Sequence, residues 1–192
     1  MSAERIKNAA LLRFAAQGYD ATSLAEIAGD VGIKTPSIYA HFSGKQALFR
    51  ELVDAVFSLE LGEVRACLER PVQVRMAMRE YLYGTVRRFD AAPSLRFWLR
   101  SIYLPPPKMV DEISAYDRRF GSSLEAIVFS ALRHPEFGLR QSALPQETLA
   151  AAFLGILRGV HAELLYCGSS DSGKMLAALW TIFARSLEEE SG

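Results

Sequence analysis

The chain reads as an all-α protein, and three observations carry that reading. Apolar residues recur three and four positions apart through its long segments, the spacing of one buried helical face. Pro and Gly interrupt those segments at intervals, as helix ends require, and nothing in the chain has the pattern of a parallel sheet. Half of the 192 residues are hydrophobic, which supplies a sizeable core and argues against disorder.

The elements follow in order. A first helix is expected over about 4–17, and two short ones over 24–31 and 36–42. A long connecting helix covers about 45–68. Pro71 permits a further helix to about Asp90. Ala92-Pro93 starts the next, which ends before Pro105-Pro106-Pro107. A helix from about Lys108 reaches Arg133, and residues 134–141, with Pro135 and Gly138, read as loop. A helix from Pro145 runs to Tyr166. After the Gly168–Gly173 stretch a last helix runs to about Glu188. The total is about nine, with no internal repeat.

The segment Ser23–Gln46, SLAEIAGDVGIKTPSIYAHFSGKQ, holds the most information. Ser23-x-x-Glu26 is a capping box, in which the Ser side chain and the residue-26 carboxylate each satisfy a free N–H of the helix start. Leu24, Ile27, Ala28 and Val31 form one apolar face. Gly32 supplies a turn. Thr35 is expected to cap a second short helix, with Pro36 in its first turn. Ile38 and Phe42 are four apart and face a core, which leaves Ser37, Tyr39 and His41 elsewhere around the helix. Two helices joined by so tight a turn, the second polar outside, form a helix-turn-helix. Its second helix suits the DNA major groove, with hydroxyls and helix N–H groups on phosphates. Shape alone does not separate this from helical proteins that never touch DNA, and a lone His or Tyr is as often a packing residue.

Residues 5–49 go beyond shape. Ala9-Ala10 with Phe14, Gly18-Tyr19, Thr22-Ser23, Ile27-Ala28, Val31-Gly32-Ile33, Ile38-Tyr39, His41-Phe42, and Lys45 with Leu48 stand in one order and spacing. In this the segment resembles the DNA-binding region of the tetracycline-repressor-like (TetR/AcrR) family of bacterial transcriptional regulators, over about a quarter of the chain. The resemblance implies an N-terminal three-helix unit (1–47) joined by the long helix to a C-terminal helical domain (48–192) for effector binding and dimerisation. It implies a homodimer on double-stranded DNA with a palindromic operator, released by a small apolar or amphipathic effector, and no cofactor. The family's DNA contacts fall on Thr22, Ser23, Thr35, Pro36, Ser37, Tyr39, His41 and Lys45, with Lys34 beside them. Lys34 stands where a capping Ser is common and Thr35 where many members have Lys, which bears on base preference.

Composition sets further bounds. Net charge is formally zero, and residues 1–50 carry six Lys and Arg against four acids. Affinity for DNA then rests on dimer geometry and neutral donors as well as on charge. Cys67 and Cys167 form no metal spacing or disulfide framework and read as two reduced thiols. The charged N-terminus (Glu4, Arg5, Lys7) lacks a signal-peptide core, and no uninterrupted apolar run reads as a bilayer span. A cytoplasmic protein without membrane contact is expected.

In the C-terminal part, Ala151, Gly155, Gly159 and Ala162 form a small-residue stripe that lets another helix approach closely. That helix lies either within the subunit or in a second copy. The resemblance favours the second copy, with Trp180 and Phe183 of the last helix beside the stripe in a four-helix contact. Residues 75–120 are rich in aromatics. Tyr81, Phe97, Trp98, Tyr103, Tyr116 and Phe120, with His161, either line an apolar pocket or form ordinary core. Residues 65–119 carry a local excess of basic side chains, and one or two of Arg75, Arg79, Arg96, Arg100 or Arg118 facing a cavity would favour an anionic ligand. Two other functions share the fold: a helical protein-interaction module, and an all-α enzyme on an apolar substrate. The second lacks a nucleophile elbow, phosphate loop, metal spacing or paired carboxylates.

Overall fold

The computed structural model describes residues 3–136, 138–139 and 144–187. Among these it holds nine α-helices and no strand: α1 (Ala3–Gln17), α2 (Leu24–Val31), α3 (Thr35–Tyr39), α4 (Lys45–Leu68), α5 (Val74–Ala91), α6 (Pro93–Tyr103), α7 (Val110–Leu132), α8 (Gln146–Cys167) and α9 (Ser169–Ser186), with a 3-10 turn at Pro107–Met109. They form two compact units. One comprises Met1–Leu59 with Ala92–Tyr116, the other Glu60–Ala91 with Asp117–Gly192. Helices α4 and α7 each contribute to both.

The first unit is built around the apolar faces of α1 and α6. Ile6, Ala10 and Phe14 of α1 and Leu95, Phe97, Trp98 and Leu99 of α6 are almost completely buried. Phe14 and Phe97 both meet Phe49 of α4 edge-on, at ring centroids 5.3 and 5.2 Å apart. Such edge contacts put the positive ring edge against the negative ring face. Arg50 pairs with Glu112 at 2.8 Å, and the Tyr116 hydroxyl donates to Asp54, which fixes the start of α7 on α4.

The second unit is organised by α8. Its residues Leu149, Phe153, Leu157, Val160 and Leu164 are buried on one face against α5 and α9. Phe183 of α9 lies tilted against Phe153 at 6.2 Å, and Trp180 lies 5.9 Å from Phe183. By length and average composition α8 is apolar enough to cross a membrane, although Arg158, His161 and Glu163 interrupt its apolar run. Its Ala and Gly residues raise the average without making bulk, and here its large side chains fill a protein core.

Two boundaries differ from expectation. The Gly168–Gly173 stretch is not a loop. Gly168 alone breaks the chain, at φ 80° and ψ −178°, a conformation open to glycine. Helix α9 starts at the next residue. The buried Ser172 hydroxyl donates to the Gly168 carbonyl at 2.6 Å, and Asp171 stands in the first turn, where the helix dipole favours an acid. The helix expected from Lys108 is divided into the 3-10 turn and α7, since three prolines in a row leave no donors for a regular start.

One buried charge stands out in the second unit. Glu60 is 1% exposed; Arg88 binds one of its oxygens at 2.6 Å, while Oε1 has no hydrogen-bond partner among the described residues. Burial raises the Glu60 carboxyl above its ordinary value even with Arg88 beside it. The folded chain therefore holds this proton more tightly than the unfolded chain. The group's contribution to stability is full at acid pH and is lost as pH rises through the raised pKa. Glu60→Gln keeps an acceptor for Arg88 without the buried charge. Its stability relative to wild type is expected to increase as pH rises from 4.5, the ordinary carboxyl value, to neutrality, measured by urea unfolding of both proteins across that range. A difference constant with pH would contradict this.

Candidate nucleic-acid interface

Helix α2 begins as its sequence requires. The Ser23 hydroxyl accepts from the Glu26 N–H at 3.2 Å, and the Glu26 carboxylate accepts from the Ser23 N–H at 2.8 Å and from its hydroxyl at 2.9 Å. Hydrogen bonds from Ser23, joined by the Arg13 charge, hold the Glu26 carboxyl below its usual range. Arg13 of α1 spans the helix, reaching Glu26 at 2.8 Å and Asp30 at 2.5 and 2.8 Å. This clamp fixes α2 on α1, and its partners lie too far apart in sequence for local spacing to reveal it.

The turn that follows depends on Gly32, which ends α2 in the left-handed region at φ 72°, ψ 36°. Its N–H and that of Ile33 close on carbonyls at the end of α2. Lys34, not Thr35, is then the N-cap of α3, without a side-chain capping bond. The Ser37 N–H donates to the Lys34 carbonyl at 2.9 Å, so the first turn forms one residue earlier than a Thr35 cap allows. Pro36 tolerates this because N–H groups of the first helical turn lack partners anyway. The helix closes at Tyr39, short of the expected 36–42, and His41 lies in the turn beyond it.

This geometry sorts the expected contact residues. Ile38 and Phe42 point inward, at 0% and 3% exposure. Lys34, Pro36, Ser37, Tyr39 and His41 are exposed, and Thr35 is half-buried. These residues lie on the side of the motif away from buried Ile38 and Phe42. Thr22 faces the other way: its hydroxyl donates to the Gly18 carbonyl at 2.8 Å and accepts from Gln17 at 3.2 Å. Ser23 is exposed, but its hydroxyl is committed to the capping box. The ammonium of Lys45 binds the Tyr19 and Thr22 carbonyls at 2.8 and 2.7 Å and sits 4.1 Å from the centre of the Tyr19 ring. It ties the α1–α2 turn to the start of α4 with two of its three N–H groups.

The remaining candidates separate by unit. Phe97 and Trp98 are buried in the first unit, where Tyr103 and Tyr116 are half-buried. Tyr81, Phe120 and His161 are buried in the second. Burial, then the Arg88 and Arg158 charges, pull His161 down to about 3, so its ring is neutral at physiological pH. In the second unit a cavity of about 460 Å³ lies along α4 and α5, lined by Glu63, Ala66, Cys67, Arg70, Glu80, Tyr81, Gly84, Arg87, Arg88 and Ala91. Its arginines are not those singled out in the sequence. Of those, Arg100 lines a smaller space of about 250 Å³ in the first unit, with Phe14, Phe49 and Phe97. On α8, Ala151 and Gly155 are exposed and Gly159 and Ala162 half-buried, whereas Trp180 and Phe183 of α9 are buried inside the unit.

A three-helix unit with a glycine turn and an exposed helix after it has the helix-turn-helix architecture. Residues 6–52 match the profile of the bacterial regulatory proteins of the tetR family. Over those residues the chain is similar to that family. Among characterised relatives, the HTH-type transcriptional repressor ComR of Escherichia coli is 35% identical over 71 residues, covering 35% of this chain and 34% of ComR. The Escherichia coli repressor BdcR is 31% identical over 87 residues, covering 45% and 44%. The biofilm operon regulator IcaR of Staphylococcus aureus is 37% identical over 54 residues, covering 28% and 29%. The chain thus spans less than half the length of these relatives, which are transcription regulators. Over its full length it shares the fold of solved tetR-family regulators. These include PfmR from Thermus thermophilus (22% identity, 98% of each chain, TM-score 0.65) and a regulator from Rhodococcus (18% identity, 100% of each chain, TM-score 0.67).

Lys45→Met keeps the apolar stem and removes the ammonium from two carbonyls. Hydrogen bonds from charged groups contribute about 1.5–3 kcal/mol each, less where water can replace them. The variant is expected to lose about 1–3 kcal/mol of stability by urea unfolding. A loss under about 0.5 kcal/mol, the range of ordinary surface substitutions, would show that the tie is unimportant.

Proposed function

We propose that the protein is a sequence-specific transcriptional regulator, a repressor, which binds a palindromic operator as a homodimer and leaves it when a small amphipathic molecule binds. The observation that carries this reading is the outer side of the motif, with Lys34, Thr35, Pro36, Ser37, Tyr39 and His41, held by buried Ile38 and Phe42. The flanking tie of Lys45 to the Tyr19 and Thr22 carbonyls makes Lys45 and Thr22 positioning residues, with the third Lys45 N–H left for a phosphate. Its functional division is a DNA-binding part at 1–47 and an effector and dimer part at 48–192. No cofactor is needed, and the cytoplasm is the expected compartment.

The dimer contact is assigned to the exposed small-residue face of α8, Ala151 and Gly155 with Gly159 and Ala162. Apart from the neighbouring backbone of α8 itself, no described atom lies within 4 Å of where a Cβ would stand at Gly155 or Gly159, so the subunit leaves room for a partner helix. Four residues beyond Ala162, Tyr166 is 76% exposed, and Ile182 of α9 is 71% exposed, large apolar side chains that a partner would cover. Trp180 and Phe183 support this face from within.

Selection of bound duplexes from a random pool is expected to return a palindrome with half-sites about one helical turn, or a multiple, apart. Tyr39→Phe should weaken binding to all duplexes alike, by roughly ten-fold or less, the effect of one lost phosphate hydrogen bond. Ser37→Ala should change the preference at particular base positions. Wild-type affinity and preference in both variants would show that α3 is not the reading element. Separately, Gly155→Leu should shift the sedimenting species from dimer toward monomer at micromolar concentration. An unchanged dimer would place the contact elsewhere.

A further inference from the structure

The cavity of the second unit is lined by three arginines and two carboxylates, and a third carboxylate, Glu60, lies buried against Arg88. Arg70 pairs with Glu80 at 2.6 Å, and Arg88 bridges Glu60 at 2.6 Å and Glu63 at 3.3 Å. Arg87 makes no close ion pair of its own among the described residues, although its charge also acts on Glu80, and it is exposed at the cavity edge. Its guanidinium reaches back over Gly84, where a Cβ would stand 3.7 Å from Nη2.

The second unmatched group is Tyr81. The residue is only 6% exposed and its ring packs 6.4 Å from Phe153, yet among the described residues nothing shares a hydrogen bond with its hydroxyl. Its hydroxyl is open to the cavity and not sealed in the core, so a molecule in the cavity can accept its hydrogen bond. Burial raises its pKa, which keeps it a neutral O–H donor. What the cavity lacks is therefore an acceptor. A carboxylate fits both unmatched donors, since a guanidinium fork matches its two oxygens and an O–H bond to an anion is short and strong. An amine fits less well, because each lining carboxylate, Glu63 and Glu80, already has an arginine beside it. Cys67 contributes no electrophile chemistry: burial raises its thiol above the ordinary value, and its S–H lies 3.4 Å from the Ala77 carbonyl.

We propose that this cavity binds a small amphipathic carboxylate, with Arg87 and the Tyr81 hydroxyl receiving the head group and the Ala66, Gly84 and Ala91 surfaces flanking the apolar part. Its volume of about 460 Å³ lies in the range of small-molecule sites. Its role as the releasing signal rests on the regulator reading above, whereas its occupancy does not.

The test is calorimetric titration of the full chain, free of DNA, with octanoate, decanoate and phenylbutanoate, each beside its methyl ester. At least one acid is expected to bind saturably, with its ester roughly ten-fold weaker or worse. Tyr81→Phe and Arg87→Gln should each weaken that acid roughly ten-fold, and Arg87→Gln should abolish the preference over the ester. Arg87 is on the surface, so that variant keeps the test valid should Tyr81→Phe unfold. The proposal is overturned if none of the three acids binds, if acid and ester bind alike, or if Arg87→Gln binds as wild type. Displacement of a selected duplex is scored separately. An acid that binds with these dependences but leaves the duplex bound supports the site and contradicts the effector part of the regulator reading.

Discussion

A helix of five residues does not hold itself together. Nucleating a helical turn costs more than the few hydrogen bonds of α3 return, so its shape is imposed from outside. Three features impose it. Gly32 turns the chain in the left-handed region, Ile38 and Phe42 anchor the helix in the core, and Arg13 fixes α2 on α1 through Glu26 and Asp30. With the inner face committed in this way, Ser37 and Tyr39 have nowhere to point but outward. The exposed surface is a consequence of the anchoring, and every functional reading of the first unit depends on it.

The anchoring extends to the helix that follows. Lys45 opens α4 by gripping the carbonyls of Tyr19 and Thr22, so the α1–α2 turn and the α4 start share one ammonium. The aromatic contacts of Phe14, Tyr19, Phe49 and Phe97 stiffen the same region from inside. A side chain that from sequence suggests a phosphate contact is in the structure chiefly a tether. Both roles need a cation at this position, so residue type alone does not separate them.

Much of the fold was legible because its signals are local. Ser23 and Glu26 three residues apart dictate a helix start, Pro93 dictates another, and the apolar spacing of α4 and α8 dictates long helices. What was not legible depends on contacts distant in sequence. Thr35 is the better capping residue, but Lys34 holds the cap position because the anchoring of Ile38 sets where the turn begins. The Ser and Gly residues of 169–173 favour loop by propensity, and the buried Ser172 bond to Gly168 overrides them. Arg13 offers no sequence cue to its partners on α2. The aromatics of 75–120 share a composition and not a place. Phe97 and Trp98 fill the first unit, and Tyr81 and Phe120 the second. Only Tyr81 of the seven candidates lines the larger cavity, beside arginines that sequence reading did not single out.

If α3 and its flanking turn meet DNA, amide hydrogen exchange with and without a selected duplex will show it. New protection is expected at residues 33–42, with the amides of α1 and α6 unchanged. Protection that spares 33–42 and appears on other surfaces of the chain would contradict it.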